Sequence, residues 1–585
     1  MPAGAARLPA GLLCVFLLSC LLLPWRAALG EVRVEISGVE DTLETNIRAS
    51  LDLVRHGTRE DLSEAAVRRL YARANGQVRE ALRPFGYYRP RVEGELEKSN
   101  GQWLASLQVD PGEPVLIEEV DVRISGPGSD SAELDRIVEQ SPVRAGRRLR
   151  HQEYDRLRNN LQSRATALGY FEMRFETRRL EVSPEERSAR IELHLHTGPR
   201  YRFGKVNIEQ DVISEPLLDR ILRVREGEPY DADRVLETQY RLTDSLYFAN
   251  VFVETAVPDE ETRTVPIHIE SEAARRQRIR LGAGYATDTR LRASIESDWR
   301  YVNKAGHSAG VELRLAQTLS RIGGRYRIPI GDPLKERLLF RGDYIREDLA
   351  DLESDRITLG VGHLTLRGGD WQRRVYTDLI REQTRIPGEP DFEDTLLVPG
   401  ISMEKLVADD ILLPRRGYRV RGDLRGSHEA LGTVANFLRF EATANRVDAW
   451  GEHWRFFSRG TIGIGMVDGF DTLPASQRFF AGGDQSVRGY GFNSLGPTDD
   501  EGNVIGGRHL LFASLEAERR IRGPVALAAF VDAGNAMENF KDGVEVSVGL
   551  GVNVHTPIGT LRVNLARSVT ESRGLRFHLS IRPDL

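Results

Sequence analysis

The sequence predicts three α+β repeats followed by a 16-stranded antiparallel transmembrane β-barrel. Between residues 31 and 274 a helix-to-strand junction recurs about every 80 residues. From about Ala274 onward, apolar and polar residues alternate with a period of two. Beyond residue 30, no apolar stretch approaches the ~18 residues that a membrane-spanning helix needs, so any membrane crossing has to use strands.

Residues 1–30 are interpreted as a secretory signal peptide and left out of the fold prediction. Arg7 precedes an apolar run over residues 8–23, and Ala28-Leu29-Gly30 offers a small-residue cleavage site. The two cysteines of the chain, Cys14 and Cys20, both lie in this segment. Cys20 could instead belong to a lipoprotein cleavage site, although the apolar run continues past it.

The charge of the chain argues against nucleic-acid binding. Removing the two arginines of the first 30 residues changes the formal net charge from −6 to −8. A basic footprint for a phosphate backbone is therefore missing, and we expect no nucleic-acid partner.

The N-terminal repeats are marked by three aromatic junctions, each placed after a helical stretch and before an alternating one. The spacing is 83 residues from Gly86 to Gly169 and 77 from Gly169 to Leu246. The junctions are Phe85-Gly86-Tyr87-Tyr88, Leu168-Gly169-Tyr170-Phe171 and Ser245-Leu246-Tyr247-Phe248. The preceding helices are predicted at 62–82, 154–167 and 232–242, and the strands that open the repeats at 32–36, 117–124 and 201–208. The predicted domains are 31–115, 116–199, 200–274 and, for the barrel, 275–585.

The barrel prediction depends on how far the alternation continues. Valine and leucine alternate with polar residues and glycine from Val544 to Val554, and the pattern persists to the last residues with arginines on the polar face. A β-sandwich would also alternate, but the persistence and the polar arginines favour a closed barrel around a wet interior. Sixteen such segments can be counted, and an even number suits a single-chain barrel.

A glycine-rich stretch fills the longest gap between strands, at about 467–507, and contains the sequence F-F-A-G-G-D-Q-S-V-R-G-Y. Arg488 in this stretch carries a permanent cation with five donors. Asp532, in the strand F-V-D-A-G-N that starts at Phe530, can accept two of them. This arrangement suits a loop folded into a polar lumen.

At these residues the chain resembles the superfamily of outer-membrane assembly factors that includes BamA, TamA and the two-partner-secretion transporters. The segment Val487-Arg488-Gly489-Tyr490 resembles the lumenal-loop motif of that superfamily, and Phe530, Asp532 and Gly534 resemble its motif on the thirteenth strand. The resemblance implies POTRA repeats, a 16-stranded barrel and contacts from Arg488 to Glu516 and Asp532. The alternation independently places both acids on the lumenal face.

Three repeats and a length of 585 residues resemble the TamA branch most closely. That resemblance implies a non-enzymatic assembly factor that inserts β-barrel proteins, such as autotransporters, into the bacterial outer membrane. It also implies a TamB-type partner anchored in the inner membrane, unfolded outer-membrane clients and periplasmic repeats. The terminal Leu585 departs from the phenylalanine common at outer-membrane termini. The alternative function is transport, through a phospholipid conduit or a two-partner-secretion pore.

A lateral seam between the first and last strands is the predicted working site. Gly282 and Gly284 weaken the first strand, although glycine is common throughout this barrel. The seam is predicted to be lined by Leu281, Gly282, Gly284, Phe577, Leu579 and Ile581, with Leu281 close enough to Leu579 for a cysteine cross-link. Because no H-E-x-x-H or P-loop pattern occurs, we expect no enzymatic activity, catalytic residue, cofactor or metal.

Overall fold

The computed structural model describes residues 32–57, 62–99, 102–288, 290–349, 351–385, 391–410, 412–433, 435–557, 559–570, 574–582 and 584. The predicted signal peptide lies outside these residues. The described chain divides into two compact units. One comprises the residues up to Lys205 with 226–233 and 257–266, and the other comprises 206–225, 234–256 and the residues from Ile267 onward.

The first module is a three-stranded sheet with strand order β1-β3-β2, in which β1 runs parallel to β3. Its strands are β1 (Val32–Ser37), β2 (Arg91–Ser99) and β3 (Gln102–Asp110), and its helices are α1 (Asp41–Ser50), α2 (Asp52–His56) and α3 (Glu64–Leu82). The α3 helix begins after Ser63, whose hydroxyl accepts from the Ala66 N–H. It buries Val67, Ala74 and Val78 against the sheet, the spacing of one helical face.

The second and third modules repeat this strand order. The second contains β4 (Leu116–Ser125), α4 (Ala132–Gln140), α5 (His151–Ala167), β5 (Arg174–Ser183) and β6 (Ser188–His196), in the order β4-β6-β5. The third contains β7 (Arg202–Ile208), α6 (Glu215–Ile221), α7 (Ala232–Asp244), β8 (Phe248–Thr255) and β9 (Thr264–Ala273), in the order β7-β9-β8. Among the described helices, none is long and apolar enough to cross a membrane.

The three predicted junctions share one backbone conformation. Gly86 and Gly169 have φ angles of +90° and +88°, as expected of glycines that end helices. Leu246 takes the third position with a φ of +65°, although side chains make that region unfavourable. The same turn is therefore made at all three junctions, whether or not glycine is present.

The C-terminal part is one 16-stranded antiparallel sheet with strands in sequential order, which confirms the predicted fold class. Its first eight strands are β10 (Gln277–Ala286), β11 (Arg290–Trp299), β12 (Ser308–Ala316), β13 (Leu319–Pro329), β14 (Glu336–Leu349), β15 (Leu352–Arg367), β16 (Trp371–Arg385) and β17 (Phe392–Ala408). The others are β18 (Gly417–Ser427), β19 (Asn436–Trp450), β20 (Trp454–Asp468), β21 (His509–Arg522), β22 (Val525–Met537), β23 (Glu545–Thr556), β24 (Gly559–Ser568) and β25 (Arg576–Arg582).

The two faces of this sheet carry different side chains. Leu515, Leu527 and Leu550 point outward and are exposed, as a lipid-facing surface requires. The intervening positions point into the lumen, where polar groups such as Ser547, Asn553 and Asn564 are buried. The alternation read from the sequence therefore separates a lipid face from a polar interior.

Candidate functional site

The segment 469–508, between β20 and β21, folds into the barrel and packs against its inner wall. Its apolar side chains form a small core with the wall, made of Phe479, Ala481, Val487, Tyr490, Leu495, Phe512 and Ala536. The predicted loop motif lies in this core, with Val487 and Tyr490 fully buried.

Arg488 is placed against both acids predicted for it, and only 1 % of its surface is exposed. Its Nε and Nη2 donate to the two carboxylate oxygens of Asp532 at 2.7 and 2.8 Å. Nη1 donates to Glu516 at 2.6 Å. The Arg488 backbone N–H adds a further bond of 3.1 Å to Asp532. The paired bonds to Asp532 have the fork geometry that fixes an arginine in one orientation.

Two more groups complete the arginine site, and neither contact was predicted. The Arg488 guanidinium carbon lies 3.3 Å from the centre of the Phe530 ring, a cation–π arrangement. Nη2 also donates to the Ser514 hydroxyl at 3.3 Å. Strand register explains both contacts, because Ser514 lies opposite Asp532 and Glu516 opposite Phe530. Burial alone would lower the pKa of Arg488, but Asp532 and Glu516 raise it above its usual value.

The remaining loop-motif residues, Gly489 and Tyr490, fit closely against β23 to β25. Gly489 has a φ of +101°, and a Cβ atom there would lie 3.1 Å from the Ser547 side chain, so glycine is favoured for both backbone and space. Its N–H donates to His578 Nε2 at 3.2 Å. The Tyr490 hydroxyl lies 2.5 Å from that of Ser568 and donates to Glu545. Gly534 also lacks room for a side chain, because a Cβ would lie 2.5 Å from the Leu511 carbonyl oxygen.

The same loop also attaches to another part of the wall. The Ser476 N–H donates to the buried Glu382 carboxylate at 2.9 Å, and the Val504 N–H donates to Asp351 at 2.9 Å. No motif in the sequence marks these acids. The loop is thus bonded to the wall around β14 to β16 and also to β21 and β22. It therefore crosses the lumen.

A second buried ion network holds the C-terminal tail and was missed by the sequence analysis. The Asp584 carboxylate accepts from Arg455 Nη1 at 2.8 Å and from Arg562. Arg455 also donates to Glu518 through Nε at 2.9 Å. A lone acid near the chain end carried no signal, because its partners are 129 and 22 residues away.

The first and last strands, β10 and β25, stand at the two ends of the sheet order. Among the described residues, three hydrogen bonds cross between the β10–β11 hairpin and β25. The Thr287 N–H donates to the Leu579 carbonyl at 3.1 Å, the Leu579 N–H donates to Thr287 Oγ1 at 3.3 Å, and Arg292 donates to the Ile581 carbonyl at 2.8 Å. By contrast, β24 and β25 form a continuous ladder from Thr560–Arg582 to Ala566–Arg576.

The predicted seam residues are only partly brought together. Leu579 and Ile581 lie at the seam, whereas the predicted pairing of Leu281 with Leu579 is wrong. Thr287 stands opposite Leu579 instead, and six residues of strand separate it from Leu281, about 20 Å. Gly282 and Gly284 face Ser294 and Arg292 on β11. Phe577 lies on the exposed face of β25.

The turn between β10 and β11, beside the seam, contains an acid with a buried side chain. Asp288 accepts from the Asp484 N–H at 2.5 Å and lies 3.7 Å from His578 Nδ1. Burial and the neighbouring Asp484 raise the pKa of Asp288 to about 6. The lumenal loop is thereby joined to both sides of the seam.

Comparison with known protein families agrees with this architecture. Residues 385–581 match the Omp85 superfamily domain. Residues 33–111 match the POTRA domain described as TamA domain 1, and residues 201–271 match a POTRA family described as a surface antigen variable number repeat. The chain carries an Omp85 superfamily domain preceded by POTRA domains. This assignment and the BamA relatives below place the Omp85 barrel in the outer membrane and the POTRA domains in the periplasm.

Two curated relatives are outer membrane protein assembly factors named BamA. The protein from Nitratidesulfovibrio vulgaris is 24 % identical over 430 residues, which cover 68 % of this chain and 53 % of the relative. The protein from Neisseria meningitidis is 23 % identical over 457 residues, which cover 70 % of this chain and 55 % of the relative. This chain thus spans about half the length of the curated relatives it matches.

A solved structure of Haemophilus ducreyi BamA lacking POTRA domains 1–3 has a similar fold. Its TM-score is 0.64 at 16 % identity, and the match covers 80 % of this chain and 99 % of that one. The shared fold consists of POTRA domains followed by a nearly closed 16-stranded barrel.

Proposed function

We propose that this protein assembles other β-barrel proteins into the outer membrane by templating client strands at the seam between β10 and β25. The observation that carries the proposal is the short set of bonds at that seam. Three described hydrogen bonds close it, whereas every other neighbouring pair in the barrel forms a ladder. An unpaired strand edge in hydrocarbon is costly, so a seam that opens will readily pair with an incoming strand.

The POTRA domains supply a second part of the proposal, the capture of unfolded clients. In the first module the sheet order β1-β3-β2 leaves β1 and β2 as edge strands. An extended chain can add to such an edge through main-chain hydrogen bonds, which makes capture tolerant of sequence. The clients of this route are unfolded outer-membrane proteins, with autotransporters as the first class to test.

A TamA-type role with a TamB-type partner is the finer form of the proposal. It is supported by the match of residues 33–111 to the first POTRA domain of TamA and by three modules of equal strand order. Co-purification in detergent, followed by identification of bound proteins, tests the partner. Recovery of BamA-type accessory proteins in place of a TamB-type protein would contradict this form.

A disulfide across the seam tests the main proposal. Thr287, in the turn after β10, and Leu579 are hydrogen-bonded neighbours across the seam, and the cysteines of the native sequence all lie within the first 20 residues. We expect the T287C/L579C double variant to cross-link when oxidised, to stop client insertion and to regain activity on reduction. Full activity of the cross-linked barrel would contradict the proposal.

The matched control locks strands that are already paired. Val563 and Leu579 are register partners on β24 and β25. The V563C/L579C variant shares one substitution with the test variant and leaves the seam free. Client insertion by this variant is expected to be unaffected by oxidation, which separates seam closure from general effects of a disulfide in the barrel.

A further inference from the structure

A cavity of about 410 Å³ lies where the third POTRA domain joins the first strands of the barrel. It is closed on one side by Ser245, Leu246 and Tyr247, which follow α7, and on the others by β10 to β14. Its volume lies within the ~300–1,000 Å³ typical of small-molecule sites.

The wall of this cavity is unusually basic. Six arginines and two carboxylates line it, an excess of four positive charges: Arg278, Arg280, Arg300, Arg325, Arg327, Arg337, Glu296 and Asp298. Glu296 and Asp298 are shared among three of the arginines, Arg278, Arg280 and Arg325. Both acids are therefore already engaged by these three arginines.

Three cations are left over. Arg300 donates to the Arg275 carbonyl at 3.3 Å. Within the described part of the chain, Arg327 and Arg337 form no ion pair with a carboxylate, and both side chains are half-buried in the cavity wall. Arg327 lies opposite Leu339 and Arg337 opposite Pro329, so the two are diagonal neighbours on the lumenal face of β13 and β14. Like charges at this separation repel, and a bound anion between them would remove the repulsion.

Hydrogen bonds beside the cavity join the elements that line it. Arg241 of α7 binds Asp332, in the turn between β13 and β14, through two bonds of 2.8 and 3.2 Å. The Tyr247 hydroxyl donates to the Gly306 carbonyl at 2.9 Å. A preformed site loses less conformational freedom when a ligand binds, so these contacts favour a binding site over a solvated gap.

We propose that this cavity binds a phosphate group through Arg327 and Arg337. Arginine forks match the geometry of phosphate oxygens and bind them with paired hydrogen bonds. The phosphate can belong to a lipid headgroup or be free inorganic phosphate, since both present the same oxygens. This site is independent of strand templating at the seam.

Calorimetric titration of the full chain in a phosphate-free detergent tests the proposal. The probes are inorganic phosphate, dihexanoyl phosphatidic acid and, as the phosphate-free control, dihexanoylglycerol. We expect saturable binding of a phosphate-bearing probe and none of dihexanoylglycerol. Binding of phosphatidic acid alone identifies a headgroup site, and binding of inorganic phosphate identifies a free-phosphate site. Failure of both phosphate probes to bind would overturn the proposal.

Neutralising variants inside and outside the cavity locate the binding. In R327Q/R337Q, affinity should fall on the order of tenfold or more, because two charge-assisted forks are lost. The control R421Q removes an arginine from the lumenal face of β18, outside this cavity, and should bind normally. An equal loss in R421Q would show that only the general charge of the lumen matters and would overturn the site.

A gain of binding gives a readout that does not depend on the folding of the double variant. Glu296→Gln keeps the side-chain size and releases Arg280 and Arg325 from a competing acid. Phosphate affinity should rise severalfold in this variant. An unchanged or lower affinity would contradict the proposed electrostatics.

Discussion

At the residue scale, one cation organises the lumenal loop. Arg488 is buried with two carboxylates, a hydroxyl and an aromatic ring, and every one of these groups is on a strand. The alternation in the sequence was sufficient to place Glu516 and Asp532 on the lumenal face. It could not show that Phe530 stacks on the guanidinium, because that contact also needs space at Gly549, where a Cβ would lie 2.3 Å from the ring.

Arg488→Ala should lower the free energy of unfolding by about 3–5 kcal/mol, because two buried carboxylates lose their cation. Thermal or urea unfolding in detergent, followed by tryptophan fluorescence, measures the change. Arg488→Lys keeps the charge without the fork and should lose less. Wild-type stability of the alanine variant would show that the arginine does not hold the loop.

At the element scale, the last strand is held by its ladder and by side-chain contacts beyond its end. The β25 strand pairs with β24 over seven residues and has three described hydrogen bonds to the β10–β11 hairpin. Beyond its end, the Asp584 carboxylate is clamped by Arg455 and Arg562. The position of this short strand therefore depends on a tail that carried no signal in the sequence.

Asp584→Asn should loosen β25 and cost about 2 kcal/mol, the typical contribution of a hydrogen bond to a charged group. Hydrogen exchange should become faster at the β25 amides while the long β14–β15 ladder stays protected. Asp500→Asn, in an exposed part of the lumenal loop, is the matched control. Equal exchange in both variants would mean that the tail does not hold the strand.

At the scale of the whole molecule, the lumenal loop lies inside the barrel and is bonded to its wall at several places. The segment 469–508 is bonded to Glu382 and Asp351 on one part of the wall and to Asp532 on another. A secretion pore would require this loop to leave the lumen. Assembly at a lateral seam can proceed with the loop in place, because the client strand enters from the side of the barrel.

Replacing residues 470–507 by a short glycine-serine linker should raise the single-channel conductance in planar bilayers severalfold, because the loop no longer fills the lumen. Shortening the exposed segment 538–543, which connects β22 to β23, serves as the control and should leave conductance unchanged. Conductance equal to wild type after removal of the loop would show that other residues close the lumen.

The sequence by itself determined the fold class, because periods of 80 and of two residues follow directly from repeated modules and from strands with a lipid face. It also placed the arginine and its two acids on the same side of the wall. Only the tertiary structure decided the register at the seam, where Thr287 and not Leu281 meets Leu579. It alone decided the Asp584 clamp and the basic cavity, since strands far apart in the chain come together only when the barrel closes. Strand alternation specifies which face a side chain occupies, whereas its partners depend on stagger and closure, which no local pattern encodes.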